Sequence, residues 1–236
     1  MPGSFGAAFG RNVLVSGLQT TSIFGSVPYS TRLNDKGVRV PDQPLPVGYF
    51  ASDAKYLAGD AVSGTDFVVL DTVIGNSNPR LLTNFNNTVS YKRLALNFTV
   101  DWRLGGQVSN MTHLLYDEGG NSRDYDNASP VAGVPLGQYR YDAWSPGDTR
   151  VYLESGTNLR LRDVALSYDA PDVIARFARA RSARFTLQGR NLLMRTRYWG
   201  YDPEFNNFGN TNLNRFIDLA PYPGVRQFSL SVDLGF

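Results

Sequence analysis

From Phe228 to Phe236 every second residue is apolar: Phe228, Leu230, Val232, Leu234 and Phe236. Between them stand Ser229, Ser231, Asp233 and Gly235. Side chains on a strand alternate faces, so this pattern predicts a ribbon with one apolar face and one polar face. It holds to the final residue, where a soluble domain usually frays. A hairpin is predicted between Thr83 and Leu104. Phe85, Val89 and Tyr91 share one face of its first arm, with Asn87 the polar exception. Lys92-Arg93 make a tight turn. Leu94, Leu96, Phe98, Val100, Trp102 and Leu104 then alternate with Ala95, Asn97, Thr99, Asp101 and Arg103. Asn158–Tyr168 predicts another strand, with Leu159 and Leu161 in one phase and Val164, Leu166 and Tyr168 in the other. That slip at Arg162-Asp163 predicts a β-bulge. One helical turn is expected after Pro171, and Ala183–Leu193 predicts a strand with Phe185 and Leu187 on its apolar face.

The connections alternate in length. The Lys92-Arg93 turn is short, the Asp169–Ser182 connection moderate, and the polar segments at about 105–157 and 194–224 long. The amino-terminal third is less patterned. Asn12–Leu18 is a candidate strand, and residues 25–80, with prolines at 28, 41, 44, 46 and 79, are expected to form a further long loop.

The second hairpin arm is as long as the ~9–11 residues with which a tilted strand crosses a bilayer, whereas soluble strands cluster near ~5–6. The pattern therefore predicts an all-β fold: an antiparallel transmembrane β-barrel, partial, with long extracellular loops. Short turns would lie in the periplasm, and the terminal strand would run towards it. Five strands are too few to close a single-chain barrel, and an open sheet edge in lipid costs several kcal/mol per unpaired group. The first 30 residues lack a basic start followed by an apolar core, so no signal peptide is read there. The expectation is that residues 1–236 are a carboxy-terminal barrel segment of a longer receptor, without plug domain or signal peptide.

Composition narrows the chemistry. Lys and Arg number 23 against 21 Asp and Glu, for a net charge of +2, so neither nucleic acid nor another strongly charged partner is implied. The absence of cysteine excludes disulfides and thiol chemistry. Aromatic content is 13% with 23 glycines, which suits β structure.

Four stretches resemble the carboxy-terminal part of a TonB-dependent outer-membrane receptor of the SusC/RagA type. They are Val73–Asn110 (VIGNSNPRLLTNFNNTVSYKRLALNFTVDWRLGGQVSN), Leu159–Pro171 (LRLRDVALSYDAP), Leu187–Asn206 (LQGRNLLMRTRYWGYDPEFN) and Pro221–Phe236 (PYPGVRQFSLSVDLGF). They follow the family's order and span residues 73–236. Asp60–Asp71 only loosely matches the acidic Asp-Gly stretch that precedes the first motif. The resemblance implies localisation in the bacterial outer membrane and active import of oligosaccharides, peptides or similar nutrients. In the full-length protein it implies partnership with TonB and a SusD-like surface lipoprotein. It also implies that the terminal strand (Phe228, Leu230, Val232, Leu234, Phe236) meets the lipid bilayer and signals to the barrel-assembly machinery.

No catalytic constellation emerges, and the chain is expected not to be an enzyme and to need no cofactor. The single histidine, His113, reads as a loop residue. Asp202 and Glu204 read as part of a structural loop, and Arg123–Asn127 lacks the glycine and terminal glutamate of a calcium loop. The loop aromatics Trp144, Tyr139, Tyr141, Trp199 and Tyr201 are candidate contacts for a carbohydrate or peptide ligand, against packing or an interfacial girdle. Arg103, Arg160 and Arg190 are expected to pair with Asp101 or Asp163 across strands. The competing readings are a small passive porin-like or adhesin-like barrel formed by oligomerisation, and a soluble β-sandwich.

Overall fold

Wherever the sequence alternates with period two, the computed structural model forms a strand. It describes residues 9–49, 67–204, 216–222 and 224–236. In chain order these hold β1 (Arg11–Asn12), β2 (Ser22–Leu33), β3 (Arg39–Pro44), β4 (Phe67–Asn76), β5 (Pro79–Tyr91), β6 (Leu94–Gly105), β7 (Gln107–Asn110), α1 (Met111–Glu118), α2 (Leu136–Trp144), β8 (Leu153–Ser155), β9 (Asn158–Asp169), α3 (Asp172–Phe177), β10 (Ser182–Thr196), β11 (Ile217–Asp218) and β12 (Gln227–Gly235). The chain divides into two units. The first takes residues 1–78, 106–155 and 203–221, the second residues 79–105, 156–202 and 222–236.

The second unit is one five-stranded antiparallel sheet in the order β12-β10-β9-β6-β5, built from all five strands expected from alternation. Lys92 and Arg93 close the β5–β6 hairpin, with Lys92 in the left-handed region at φ +53°, a conformation that costs roughly 1–2 kcal/mol for a residue with a Cβ. The expected bulge is present. Thr99 of β6 faces Asp163 and Val100 faces Leu161, leaving Arg162 as the extra residue. The bulge is what lets Leu159 and Leu161 join the same face as Val164 and Leu166. Pro171 precedes α3, where its fixed φ suits a helix start and its missing N–H has no helical partner to lose.

The first unit corrects two expectations. Within the expected loop at 25–80, residues 25–49 and 67–80 carry β2, β3 and β4 and residues 50–66 lie outside the described residues; β2 pairs with β4 along one edge and with β1 and β3 along the other. Pro28, Pro41 and Pro44 mislead because each sits where a ladder tolerates it. Pro28 falls at the end of the β2–β3 ladder, where its carbonyl accepts from the Leu45 N–H at 2.8 Å and no donor is needed. Pro41 and Pro44 lie on β3, which pairs on one side only. Of the candidate strand Asn12–Leu18 only Asn12 belongs to a strand, and the Leu18 N–H closes a turn onto the Val15 carbonyl at 3.1 Å. Asp60–Asp66 lie outside the described residues, while Phe67–Asp71 belong to β4.

The second correction concerns residues 105–157, read as unpatterned and polar. They carry α1, α2, β7 and β8, with β7 the central strand of a small sheet between β11 and β8. Ile23, Met111, Phe216 and Ile217 form the buried apolar cluster of this unit. Gly25 belongs to a close approach here: a Cβ on it would stand 2.7 Å from Ile74 Cδ1 and 2.9 Å from Thr149 Cβ. Thr149 also accepts the Ser26 N–H at 3.0 Å, tying the segment after α2 onto β2.

Candidate functional site

The register of the second unit's sheet aligns its apolar residues in rows that cross all five strands. One row is Val89, Leu96, Leu166, Leu187 and Leu230, and the next towards the hairpin turn is Tyr91, Leu94, Tyr168, Phe185 and Val232. Beyond Phe98, Val164 and Phe228 the face continues through Phe85, Val100, Leu161 and Leu193 to Trp102 and Leu159. From Leu94 to Leu104 the band runs about 33 Å along the strand, or about 25 Å across a bilayer at a tilt of roughly 40°.

This band is the more exposed face. Along β6, Leu94, Leu96, Trp102 and Leu104 are exposed while Ala95, Asn97, Asp101 and Arg103 are half-buried. On β9, Leu159 and Leu166 are exposed but Asn158 and Arg160 are buried. Among the described residues, the buried apolar side chains of the unit are Ala175, Ala180, Ala183 and Tyr198. The sheet thus has no large aliphatic side chain in its interior, the reverse of a water-soluble sheet.

Hydrogen bonds and ion pairs join the polar face instead. Thr88 donates to Asn97 at 2.7 Å and Thr99 to Asn86 at 2.8 Å. Gln188 donates to Asp163 at 2.7 Å, and Asn84 pairs with Asp101. Of the expected cross-strand ion pairs, Arg190–Asp163 forms at 3.3 Å. Asp101 is taken by the bulge residue Arg162, and Arg160 pairs with Asp202 at 2.5 Å. Asp202 is therefore a buried structural partner, in keeping with the loop reading of Asp202 and Glu204.

The candidate ligand aromatics fall in two places. Tyr139, Tyr141 and Trp144 lie on α2 in the first unit, with Tyr141 and Trp144 ring centroids 5.8 Å apart and Trp144 5.7 Å from Phe9. Trp199 and Tyr201 belong to the second unit. Trp199 is half-buried, and Tyr201 is exposed beside an open recess of about 220 Å³ that Arg160, Asn191, Met194 and Asp202 also line. The terminal-strand residues Phe228, Leu230, Val232, Leu234 and Phe236 are all exposed on the apolar face. β12 pairs only with β10 and β5 only with β6, so among the described residues the sheet keeps two open edges.

His113 is not a solvent-facing loop residue. Helix α1 is capped by Asn110, whose Oδ1 accepts the His113 N–H at 2.9 Å, and buries His113, Leu114 and Asp117 on one face. His113 is 5% exposed and Asp117 0%. Arg140, from α2, donates to Asp117 through Nε at 2.8 Å and Nη2 at 2.9 Å, and to Asp124 at 2.8 Å. Its Nη2 also stands 2.5 Å from His113 Nε2. An arginine only donates, so His113 Nε2 accepts there and its Nδ1–H points to Glu154 Oε1, 2.9 Å away. Tyr152 donates to Asp117 at 3.0 Å and Tyr125 to the Asp117 carbonyl at 2.7 Å.

Burial would raise the Asp124 carboxyl, but the charge and hydrogen bond of Arg140, with the Asn127 amide, outweigh it and hold it below the usual carboxylate range. Burial and the neighbouring Asp117 push the Tyr152 hydroxyl up, so it stays protonated as a donor. Among the described residues no group of histidine and carboxylate side chains is arranged to hold a metal ion. The network is a set of satisfied charges that fixes α1 against α2.

A mostly antiparallel, β-rich chain whose widest sheet exposes its apolar face defines a class: an all-β fold of the membrane β-barrel type. No family model matches the chain. In sequence it is similar to two TonB-dependent receptors of Formosa agariphila. TonB-dependent receptor P3 is 26% identical over 80% of this chain, and P26 is 28% identical over 75%. The chain spans about a fifth of the length of these curated relatives, 21% and 19%. In fold it is similar to the RagAB peptide importer in the open-open state, with a TM-score of 0.52 and 19% identity over 91% of this chain and 22% of that one. It is likewise similar to a second RagAB peptide transporter structure, with a TM-score of 0.51 and 21% identity over 92% of this chain and 21% of that one. The chain thus resembles part of a TonB-dependent receptor in sequence, through the Formosa relatives, and part of RagAB in fold.

Proposed function

We propose that the chain is a carboxy-terminal wedge of the barrel of a TonB-dependent outer-membrane importer, taking up oligosaccharides, peptides or similar nutrients. The observation that carries this reading is the inverted sheet: a band about as tall as a bilayer's apolar layer, exposed on one side, with polar groups joined by hydrogen bonds and ion pairs on the other. The fivefold greater length of the relatives supplies the missing strands, and the open edges of β5 and β12 are where those strands would pair. In this reading the Lys92-Arg93 turn and the α3 connection lie in the periplasm, and residues 105–157 and 194–224 face outside. TonB and a SusD-like surface lipoprotein are the partners of the whole receptor.

The chain has no cysteine, so single cysteines report each face cleanly. Labels at Val164, Leu166 and Tyr168 in the membrane-inserted receptor are expected to be quenched by a lipid-soluble quencher. Labels at Asp163, Ala165 and Ser167 are expected to be quenched by a water-soluble one. Loss of this alternation would sink the reading. The two open edges also suit a ring of short chains. Chemical cross-linking of the inserted chain separates the two, since only the ring gives homo-oligomeric products.

A further inference from the structure

The connection between β9 and β10 carries more than a hairpin needs. Antiparallel neighbours can be joined by two residues, yet this segment folds α3 and buries Ala175 and Ala180, the Ala180 N–H donating to the Ala175 carbonyl at 3.0 Å. Its remaining surface presents Val173, 75% exposed, Ile174, 47%, and Phe177, 95%. Interleaved with these are Arg176, Arg179 and Arg181, all exposed, and among the described residues none of the three forms an ion pair. Asp172 is the one acidic side chain on the helix. The Lys92-Arg93 turn adds two cations beside it, since the Arg93 carbonyl accepts the Asp169 N–H at 2.9 Å. Arg184 is already held by Asp169 at 2.6 Å, so its charge is matched.

This surface is continuous with the rim of the apolar band, where Tyr91, Leu94 and Tyr168 end the rows. Apolar tips among unmatched arginines at such a rim are what an interfacial segment needs. The tips enter the acyl region while the arginine stems lie along it and the guanidinium groups reach phosphate. The unmatched positive charge selects a negative surface over a neutral one.

We propose that α3 and the neighbouring Lys92-Arg93 turn form a docking surface for anionic glycerophospholipid headgroups. Phe177 and Val173 are seated in the acyl layer, and Arg176, Arg179 and Arg181 contact phosphate. The proposal rests on the reading of the apolar band as lipid-facing, and its test separates the two. The receptor carrying this segment, with either Ala178→Cys or Leu187→Cys bearing one fluorophore, is inserted into phosphatidylcholine vesicles. The vesicles contain an equal small fraction of either brominated phosphatidylglycerol or brominated phosphatidylcholine.

At position 178 the anionic quencher is expected to act about twofold or more as strongly as the neutral one, an excess that shrinks as salt screens the arginines. With R176Q/R179Q/R181Q, which leaves only the Lys92-Arg93 pair, most of that excess is expected to be lost. At position 187, inside the band, both are expected to quench alike in every variant. Equal quenching at 178 in the unsubstituted chain overturns the proposal, as does a preference that survives both salt and the triple substitution. A label at 187 that neither lipid quenches overturns the lipid-facing reading itself.

Discussion

Placing an arginine on either face of β9 separates a membrane sheet from a soluble one. Val164 lies on the apolar face opposite Phe98, and Ala165 lies on the polar face between Asn97 and Gln188. Phe98 is four residues from Leu94, so Val164 sits about 13 Å along the strand, or about 10 Å in depth, from the turn-side edge of a band about 25 Å tall. That is close to the midplane. Val164→Arg is therefore expected to cost about 2–4 kcal/mol, or roughly 30- to 1,000-fold in the folding equilibrium. Tyr168→Arg, in the row nearest the turn, falls near the interface and is expected to cost only about 0–1 kcal/mol. Ala165→Arg enters a face already lined by Asn97, Gln188 and Asp163 and is expected to stay within about 0.5 kcal/mol. The assay is urea titration of the receptor refolded into lipid vesicles, followed by tryptophan fluorescence. A cost for Ala165→Arg equal to that for Val164→Arg would refute the assignment of faces. Equal costs at Val164 and Tyr168 would refute the depth calculation.

Further expectations follow from the loop network and the terminal strand. Asp117→Leu removes a fully buried partner of Arg140 and Tyr152 and is expected to cost about 3–5 kcal/mol locally. Hydrogen exchange should show this as lost amide protection over α1 and α2 with β9 and β10 unchanged. Asp124 has a depressed pKa, so its contribution is full above the unfolded value of 3.8 and is lost as pH falls through the lower folded value. Protection of α1 and α2 should decline only below about pH 4 for this group, and Asp124→Asn should remove that acid-limb decline. Deleting Phe236 from the receptor is expected to lower the yield of membrane-inserted protein while leaving ligand affinity of the inserted fraction unchanged; equal yields would remove the assembly-signal reading.

The legible parts of this chain are those where a strand separates two different surroundings. β6, β9, β10 and β12 alternate because one face is apolar and the other polar, and even the bulge at Arg162 shows as a shift in phase. α3 was legible from Pro171, which marks a helix start. β2 and β4 were not, because their apolar residues do not keep to one face. Ile23 and Phe24 are consecutive, Gly25 stands where a side chain would continue the pattern, and Pro28 carries the signature of a loop. The charge network was illegible for another reason. His113, Asp124, Arg140, Tyr152 and Glu154 meet only after α1, α2 and β8 have packed, and none of their spacings in sequence encodes the meeting. The one local signal was Asn110, His113, Leu114 and Asp117 at helical spacing after a capping residue, in a segment whose polarity hid the helix.

The two units are stabilised by opposite means, which makes their contributions separable. The first unit holds Ile23, Met111, Phe216 and Ile217 in a dry cluster and neutralises Arg140 with Asp117 and Asp124, so its stability comes from contacts within the chain. The second unit has strands of up to 15 residues, but among the described residues its buried apolar side chains are three alanines and Tyr198. Backbone pairing alone does not offset the entropy of ordering so long a sheet, because a hydrogen bond contributes only about 0.5–1.5 kcal/mol net against roughly 1–2 kcal/mol for each ordered residue. The remainder has to come from what covers Leu166, Leu187 and Leu230 and from strands that pair with the edges of β5 and β12. Substitutions in the charge network should therefore register in any solvent that keeps the protein folded. Substitutions in the apolar rows should register in proportion to depth in a bilayer, and that dependence on medium is the physical signature that the sheet was selected against lipid.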